Sequence, residues 1–294
     1  GFIGAGLINE LLKYNYEIVC YDNFFRGNKS KLGKDLKNIK FIKGDVRDLK
    51  RLIKYSKKTD IFIHLAYING TEHFYNRPDL VLDVGIKGML NVIEATKKNN
   101  IKNLILASSS EVYQTPKTVP TPENVQLVVP NVYNPRYSYG SGKIISEILA
   151  LHSCKHLKKV MIFRPHNVYG PNMGKEHVIP QIILRIKKLI KRYPNKKSFN
   201  FPILGDGNQI RSFNYISDFS KGVHFIIKKG KHREIYHIGD SKRYKIKDIV
   251  KKVSKILNVK LIIKKTKAPI GETKIRCPNI NKISRLGYKP KIKI

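Results

Sequence analysis

The chain opens with Gly1-Phe2-Ile3-Gly4, and an amphipathic segment over residues 5–14 follows directly. Glycines at a strand-to-helix turn let the backbone approach a pyrophosphate closely, and the free N–H groups of a helix N-terminus attract its charge. A complete motif of this kind has a strand and one more glycine before the quoted residues. We therefore expect residues 1–4 to be the second half of a nucleotide-binding loop, with the first strand and first glycine absent from this sequence.

Short apolar runs alternate with amphipathic segments through the first half of the chain. The runs are rich in β-branched residues, as is typical of strands buried on both faces of a sheet. They cover residues 17–22, 39–42, 61–66, 103–107 and 160–163. Apolar residues recur at helical spacing over residues 5–14, 47–57, 79–98 and 137–154. This alternation predicts an α/β fold with a doubly wound parallel sheet, Rossmann-like but without its first strand.

The pattern changes after residue 170, where prolines and mixed turns replace the regular alternation. Helical spacing returns over residues 178–192, 216–229 and 245–257. We predict a nucleotide-binding domain over residues 1–170 and a smaller, partly interleaved α/β substrate domain over residues 171–294. Segments near residues 211–240 are expected to return to the first domain.

Composition narrows the class of protein. A chain of 294 residues with 41% hydrophobic residues can bury a full core, and it has no uninterrupted apolar run of membrane-spanning length. The cysteines are odd in number and far apart, at Cys20, Cys154 and Cys277, which favours free thiols in a reducing cytoplasm. The spacing of cysteines and histidines predicts no metal site.

The net charge of +37 leaves a nucleic-acid partner open as an alternative. The basic residues are spread along the chain and are mostly lysines, whereas proteins that read base edges favour arginine. We therefore interpret the charge as compositional drift, and expect no nucleic acid. The same charge would attract an anionic substrate such as a nucleotide diphosphate.

An acidic residue ends the first predicted strand, in Tyr21-Asp22-Asn23. A carboxylate at this point, after a glycine loop and helix, can accept hydrogen bonds from an adenosine ribose and would repel a 2′-phosphate. A strand-ending turn carboxylate is the alternative. Together with the glycine loop, Asp22 favours NAD over NADP as the cofactor.

Tyr139 and Lys143 are four residues apart, so they lie on one face of a helix. A nearby ammonium favours the phenolate, which makes Tyr139 a candidate acid or base. Ser109 follows a predicted strand, at the end where parallel sheets bind ligands, and can hydrogen-bond the same substrate hydroxyl. The spacing alone occurs by chance in a chain rich in tyrosine and lysine. Its order after the glycine loop and Asp22 favours a catalytic set.

Nine motifs occur in a characteristic order along almost the whole chain. They are GFIG at 1–4, YDNFFRG at 21–27, GDVRD at 44–48, HLA at 64–66, SSSEVY at 108–113, YSYGSGK at 137–143, RPHNVYGP at 164–171, GDGNQIRSF at 205–213 and LGYKP at 286–290. With these motifs the chain resembles the extended short-chain dehydrogenase/reductases, specifically the NAD-dependent nucleotide-sugar epimerases and dehydratases. It departs from them at Asp83, where many relatives have asparagine, and at Gln114, where glycine is usual.

The resemblance implies a role for each matched residue. Gly1, Phe2, Ile3 and Gly4 would line the cofactor pyrophosphate, and Lys143 would hold the nicotinamide ribose. The other implied cofactor contacts are Asp22 and Asn23 at the adenosine ribose, Asp45 and Val46 at the adenine, and Leu65 and Ala66 at the diphosphate. Ser109 would orient the 4-hydroxyl of the sugar, and Tyr139 would take its proton. The implied substrate phosphate contacts are Asn167, Arg211 and Arg276.

The resemblance also implies a 4-keto sugar intermediate, which has three fates: C4 epimerisation, loss of water to a 4-keto-6-deoxy sugar, or decarboxylation of a uronic acid. Dehydration needs a further acid/base group. Glu111 lies two residues after Ser109, so on an extended segment it shares a face with it, and dehydratases and decarboxylases often have glutamate there. Ser110 stands where one dehydratase group has aspartate. We therefore expect epimerisation first, by a homodimer, with the other two reactions and a non-catalytic basic binding protein as alternatives.

Overall fold

The computed structural model describes residues 1–32, 36–267 and 273–294. Its helices are α1 (Phe2–Leu11), α2 (Leu49–Tyr55), α3 (Thr71–Asn76), α4 (Pro78–Leu82), α5 (Gly88–Lys98), α6 (Ser138–His152), α7 (Val178–Arg192), α8 (Ile216–Lys229), α9 (Ile246–Ile256) and α10 (Asn281–Ser284). Its strands are β1 (Ile18–Asp22), β2 (Ile39–Lys43), β3 (Ile61–His64), β4 (Asn103–Ala107), β5 (Lys159–Pro165), β6 (Val168–Tyr169), β7 (Ser198–Leu204), β8 (Ile210–Arg211), β9 (Asn214–Tyr215), β10 (Glu234–Ile238), β11 (Tyr244–Lys245), β12 (Lys260–Thr266) and β13 (Ile275–Arg276).

The main sheet is parallel and has the strand order β10-β5-β4-β3, and a separate parallel pair joins β1 to β2. Each of the five strands predicted before residue 170 is present, with ends that differ by at most a few residues. Helices α7 and α8 have the predicted bounds. The expected α/β, Rossmann-like fold is confirmed.

Alternate residues of the central strands enter two different cores, as strand geometry requires. Ile105 and Phe163 pack on one face, in a cluster with residues of α1 and α8. Leu104 and Ile162 pack on the other face, in a cluster with residues of α2, α5 and α6. These two apolar layers are what makes the sheet doubly wound.

Helix α1 connects the two parallel sheets. Its Leu7 and Leu11 belong to the same core as Ile18 of β1 and Ile63 of β3. Within the described ranges β1 pairs only with β2, and β3 pairs only with β4, so each has one strand edge without a partner.

The second half of the chain builds a further core between α7, α9 and the parallel pair β7–β12. Three short strands form the order β11-β8-β13 beside it, and β6 pairs with β9. Strand β10 pairs with β5 of the main sheet, although it follows β7–β9 in sequence. The division into domains at residue 170 stays a prediction.

Across the described residues, no helix has the length and apolar character needed to cross a membrane.

We predict that Ile226→Ala lowers the free energy of unfolding by about 2–5 kcal/mol, because Ile226 of α8 is 0% exposed and its loss leaves a cavity. Ile256→Ala on α9 is the matched control, since Ile256 is 81% exposed and its loss should change stability by less than about 0.5 kcal/mol. Urea unfolding of the two variants measures the difference. Equal unfolding midpoints would contradict the assignment of this core.

Candidate active site

The carboxyl end of β4 and the first turn of α6 meet at one edge of the main sheet. After β4 ends at Ala107, Ser109 begins a 3₁₀ turn over Ser110–Tyr113. The Ser109 hydroxyl accepts a hydrogen bond from the Glu111 amide at 3.1 Å, which holds the turn at the strand end. The Ser109 hydroxyl also lies close enough to the phenol of Tyr139, in the first turn of α6, to lower the pKa of that phenol. The serine and tyrosine hydroxyls therefore lie side by side.

Tyr139 lies in an aromatic pocket and is only 6% exposed. Its ring stacks on Phe74 with 4.9 Å between centroids and meets the ring of Tyr67 edge to face at 5.2 Å. Burial raises the pKa of Tyr139 to about 12, against the lowering effects of the Ser109 hydrogen bond and the Arg26 charge. Without substrate, Tyr139 is therefore protonated at neutral pH.

Lys143 lies one helical turn after Tyr139 and is 3% exposed. Its Nζ donates a hydrogen bond to the Ala107 carbonyl at 2.7 Å and lies 4.0 Å from the centroid of the Tyr67 ring. Burial lowers the pKa of Lys143 to about 7, and the Glu147 carboxylate opposes this shift. The predicted lowering of the Tyr139 pKa by Lys143 is absent from this geometry, because Ala107 and Tyr67 hold the ammonium 5.8 Å from the centroid of the Tyr139 ring.

A buried ion pair supports these residues from the sheet side. Arg164 of β5 donates two hydrogen bonds to the Glu147 carboxylate, at 2.8 Å and 2.5 Å. Ser108, next to Ser109, donates a third hydrogen bond to Glu147. Because Glu147 lies on α6 one turn after Lys143, this network ties α6 to both the turn after β4 and the strand β5.

Glu111 forms an ion pair with Arg276, with 2.5 Å between the carboxylate and the guanidinium. Burial alone would raise the pKa of Glu111, but Arg276, together with the charges of Arg136 and Arg211, brings it below its usual value. Arg276 also donates to the Thr273 hydroxyl at 3.3 Å. Glu111 is therefore an anion that is already paired, rather than a carboxylic acid with a proton to give.

The three residues predicted to contact the substrate phosphates have different partners. Arg276 forms the ion pair with Glu111. Arg211 donates a hydrogen bond to the carbonyl of Ile210 at 2.9 Å, and its charge lowers the pKa of Glu111. Asn167 donates from its side chain to the carbonyl of Ser212 at 2.8 Å. The structure thus brings both arginines to Glu111, whereas the amide of Asn167 braces the backbone around β8 and β9.

The N-terminus of α1 lies beside the end of β1. Asp22 accepts a hydrogen bond from the Phe24 amide at 2.7 Å and another from the Gly1 nitrogen at 3.2 Å. No side chain in the described ranges caps α1 at Gly1. At Gly4 an added Cβ would lie 3.7 Å from Leu65, so the helix start is close to the residues that follow β3.

The residues expected around the adenine form a polar network. Arg47 donates to the Asp45 carboxylate, and these hydrogen bonds hold the pKa of Asp45 well below its usual range despite partial burial. Asn23 also donates to Asp45, at 3.1 Å. Arg47 reaches Asp83 as well, at 2.8 Å, so the aspartate that departs from the family pattern has an ion-pair partner here.

The apolar residues predicted for the cofactor site belong to two cores. Ile3 and Leu65 pack against the cluster that contains α1 and α8. Val46 and Ala66 belong to the cluster that contains Tyr139, and Phe2 is the first residue of α1. The predicted cofactor residues therefore line both the start of α1 and the cluster around Tyr139 of α6.

Three residues with effects on this site were not singled out from the sequence. Tyr67 directly follows Ala66 at the carboxyl end of β3, Arg136 precedes Tyr139 by three residues, and Arg26 lies in the YDNFFRG motif. Position at a strand end or beside the catalytic motif was the available signal. Their charge and ring contacts with Glu111, Lys143 and Tyr139 depend on tertiary packing.

The model of the NAD dependent epimerase/dehydratase family matches residues 1–239. The chain belongs to this family. The family resemblance of the ordered motifs is thereby confirmed, and the protein is an enzyme of the NAD-dependent type.

The names of similar proteins refer to three different reactions. The chain is 28% identical to a protein of Methanocaldococcus jannaschii provisionally named UDP-glucose 4-epimerase, over 99% of this chain and 91% of the other. It is 27% identical to UDP-glucuronic acid decarboxylase 1 of Arabidopsis thaliana, over 100% of this chain and 65% of the other. A dTDP-glucose 4,6-dehydratase of Streptomyces venezuelae, solved with NAD bound, has the same fold, with a TM-score of 0.87, 22% identity and coverage of 100% and 90%.

The residues present fit the NAD of this family. The start of α1 has free N–H groups for a pyrophosphate, and the Asp22 carboxylate lies within 3.2 Å of that start, where a ribose would be bound. Lys143 lies on α6 one turn after Tyr139 and donates a hydrogen bond to Ala107 at the end of β4. NAD would supply the hydride acceptor.

We predict that Arg276→Met lowers the free energy of unfolding by about 2 kcal/mol at pH 7, because it removes the ion-pair partner of the partly buried Glu111 carboxylate. The Glu111 pKa is lowered by Arg276, so the pair stabilises the fold above the ordinary carboxylate pKa and is lost as pH falls through the shifted value. In the variant the lowering of that pKa by Arg276 is gone, so the loss of stability grows as pH rises. Unfolding should show a larger loss at pH 7 than at pH 4.

The control is the double variant Arg276→Met/Glu111→Gln, which contains no carboxylate at this position. Measured against Glu111→Gln, which also lacks the carboxylate, its free energy of unfolding should differ by the same amount at both pH values. A pH-independent loss in the single variant would show that Glu111 is not the partner of Arg276.

Proposed function

We propose that this protein epimerises the C4 hydroxyl of a nucleotide-diphospho-sugar through a 4-keto intermediate. The observation that carries the proposal is the adjacent pair of buried hydroxyls on Ser109 and Tyr139, with Lys143 one helical turn away. These three groups are all that C4 oxidation and reduction require from the protein. Relatives named as epimerases support the assignment.

In this mechanism Tyr139 takes the proton of the 4-hydroxyl while Ser109 donates a hydrogen bond to the same oxygen. NAD⁺, when bound, would supply the hydride acceptor for C4, and the reduced cofactor would supply the hydride for the other face of the sugar after it has turned. Tyr139 must ionise to act as the base, and its pKa of about 12 in the free site makes this costly. Arg26 and a relocated Lys143 ammonium are the cations that would stabilise the phenolate.

The state of Glu111 favours epimerisation over dehydration. A dehydratase must protonate the leaving hydroxyl and remove the C5 proton, so it needs a carboxyl that exchanges protons near neutral pH. The Arg276 ion pair instead lowers the pKa of Glu111, away from the working range of such a group. Epimerisation makes no demand on Glu111.

Decarboxylation is the second candidate, and one observation favours it. The Nε atoms of Arg136 and Arg276 are buried and have no hydrogen-bond partner among the described residues. Both guanidinium groups face Glu111, so a sugar with a carboxylate would find unpaired donors at this place. A relative named UDP-glucuronic acid decarboxylase is consistent with such a substrate.

The substrate and setting follow from the same chemistry. The charges of Arg136, Arg211 and Arg276 converge on one region, where an anionic nucleotide diphosphate would be attracted.

Cys20, Cys154 and Cys277 are all described and all free, which suits the reducing cytoplasm that we propose as the location. Nothing in this site calls for nucleic acid.

We predict that the full-length protein with NAD⁺ inverts C4 of one member of a panel of UDP-, dTDP- and GDP-sugars without changing its mass. Tyr139→Phe should lose at least about 100-fold in turnover, since a general base contributes about 10²–10⁴-fold. Glu111→Gln should keep activity within about 3-fold, because epimerisation does not use its proton. Products are identified by mass spectrometry and NMR.

The alternatives give different products in the same assay. Loss of water together with a severe defect in Glu111→Gln would show a dehydratase, and loss of carbon dioxide from a uronic acid would show a decarboxylase. Full activity of Tyr139→Phe would contradict the shared mechanism.

We also propose that two copies of the chain pair through the helix that holds Tyr139. Apolar side chains are exposed on α5 and α6, where Leu90 is 49% exposed, Ile145 37% and Ile148 53%. Burying such side chains against a second copy would be favourable. This extends the dimer that the family resemblance implies.

We predict that Leu90→Lys/Ile148→Lys halves the molar mass measured by light scattering, because two buried lysines would repel each other across the interface. Ile256→Lys is the control, since this exposed residue lies at the end of α9, away from the proposed interface. An unchanged mass in the double variant would contradict this interface.

A further inference from the structure

Tyr67 contributes to the active site although no predicted role falls on it. It follows the end of β3, and its ring lies between the helical segment around Gly85 and the catalytic helix α6 at Gly142. Its Oη is buried and has no hydrogen-bond partner among the residues that the structure describes. A buried hydroxyl without a partner costs free energy, so the phenol ring itself, rather than its hydroxyl, is the group that contributes here.

The fold leaves room for this ring by means of two glycines. A Cβ added at Gly85 or at Gly142 would lie 2.1 Å from the Tyr67 Oη, a distance that no side chain tolerates. Gly85 lies in a π-helical turn over Asp83–Lys87, which joins α4 to α5. Such turns widen a helix locally, and they are frequent near functional sites. The two glycines and the π-helical turn therefore make room for the Tyr67 ring.

The face of the Tyr67 ring is turned to a cation. Lys143 Nζ lies 4.0 Å from the ring centroid, inside the range of a cation–π interaction. The same nitrogen donates to the Ala107 carbonyl, so the ring and the carbonyl hold the ammonium together. The ring also meets Tyr139 edge to face, which places it between the two catalytic side chains.

We propose that Tyr67 is a positioning residue whose aromatic face holds the Lys143 ammonium in its charged form inside the buried site. The catalytic meaning of Lys143 rests on the proposed function, but the contact between ring and ammonium does not. A charged Lys143 can donate hydrogen bonds to a ribose or stabilise a phenolate, and a neutral amine can do neither effectively.

Few other groups are placed to keep this lysine charged. Glu147 on α6 is the carboxylate that acts on it, and that carboxylate is already bonded to Arg164. His64 on β3 is neutral, because burial lowers its pKa to about 3, with Lys143 as a further cause. Tyr139 is a neutral phenol at the pH values considered. Beside the Ala107 carbonyl, the ring of Tyr67 is thus the remaining contact of the ammonium among the described residues that stabilises its charge.

The pH dependence of stability reports the charge on Lys143 without any ligand. Burial lowers the pKa of Lys143 to about 7, whereas the unfolded side chain titrates near pH ~10.4. Between these values the unfolded chain binds one more proton than the folded chain, so the free energy of unfolding rises with pH. Loss of the ring lowers the folded pKa further and moves the start of this rise to lower pH.

The test compares Tyr67→Phe, which keeps the aromatic face, with Tyr67→Leu, which removes it. Urea unfolding from pH 5 to pH 9 should give the same curve shape for the parent and Tyr67→Phe. In Tyr67→Leu the rise should begin about one pH unit lower, the shift expected for a lost cation–π contact of ordinary strength. Adding Lys143→Met to both variants should abolish the difference. Tyr67→Met replaces Tyr67→Leu if the latter does not fold.

NADH binding, followed by fluorescence, gives a second readout that does not need the correct sugar. Near pH 8, Tyr67→Leu should bind about 10-fold more weakly than Tyr67→Phe, and the gap should narrow toward pH 5, where Lys143 is protonated in both. Superimposed pH curves for the Phe and Leu variants in the unfolding experiment would overturn the inference. A shift in those curves combined with no epimerase product would instead count only against the proposed function.

Discussion

The ion pair between Glu147 and Arg164 is the contact on which the geometry of the site depends. Glu147 lies on the same helix as Tyr139 and Lys143, and it accepts hydrogen bonds from β5 through Arg164 and from the turn after β4 through Ser108. Burying two charges is costly, and only good geometry with further hydrogen bonds offsets that cost. Here the gain is positional, because one carboxylate fixes the helix that contains Tyr139 against the turn that contains Ser109.

Charge is distributed unevenly around this fixed frame. Glu147 is paired in the core, while Glu111 is paired with Arg276 at the mouth of the site and faces two further arginines. Burial brings the pKa of Lys143 to about 7, so its charge is the least secure. Arg276 lowers the pKa of Glu111, and we propose that protons move through Tyr139 and Lys143 instead. That balance is what favours redox epimerisation over chemistry that needs a carboxylic acid.

Local pattern was enough to predict most of the fold. Helices α7 and α8 begin and end where the apolar spacing predicts, and β4 has its predicted bounds. This is because the buried side of a helix or strand requires apolar residues at regular intervals in the sequence. The placement of Tyr139 and Lys143 on one face of α6 was predictable for the same reason, since residues four apart share a helix face. The π-helical turn at Gly85 could not be predicted in this way, because it packs against Tyr67, a side chain from another segment of the chain.

Contacts between distant segments account for the rest. Glu111 and Arg276 are 165 residues apart in the chain, and nothing in either motif indicates that they pair. Lys143 was expected beside the Tyr139 phenol, but the Ala107 carbonyl and the Tyr67 ring hold it instead. A spacing rule predicts which side chains share a face, and tertiary packing decides which partner each one meets.

The fate of the hydrogen on C4 tests the central claim most directly. A nucleotide sugar labelled with deuterium at C4 is incubated with the full-length protein and NAD⁺ in ordinary water, and the product is analysed by NMR and mass spectrometry. The account predicts an inverted C4 that keeps its deuterium, because the hydride leaves and returns within one closed site. Inversion with loss of the label to solvent would contradict oxidation at C4 by hydride transfer.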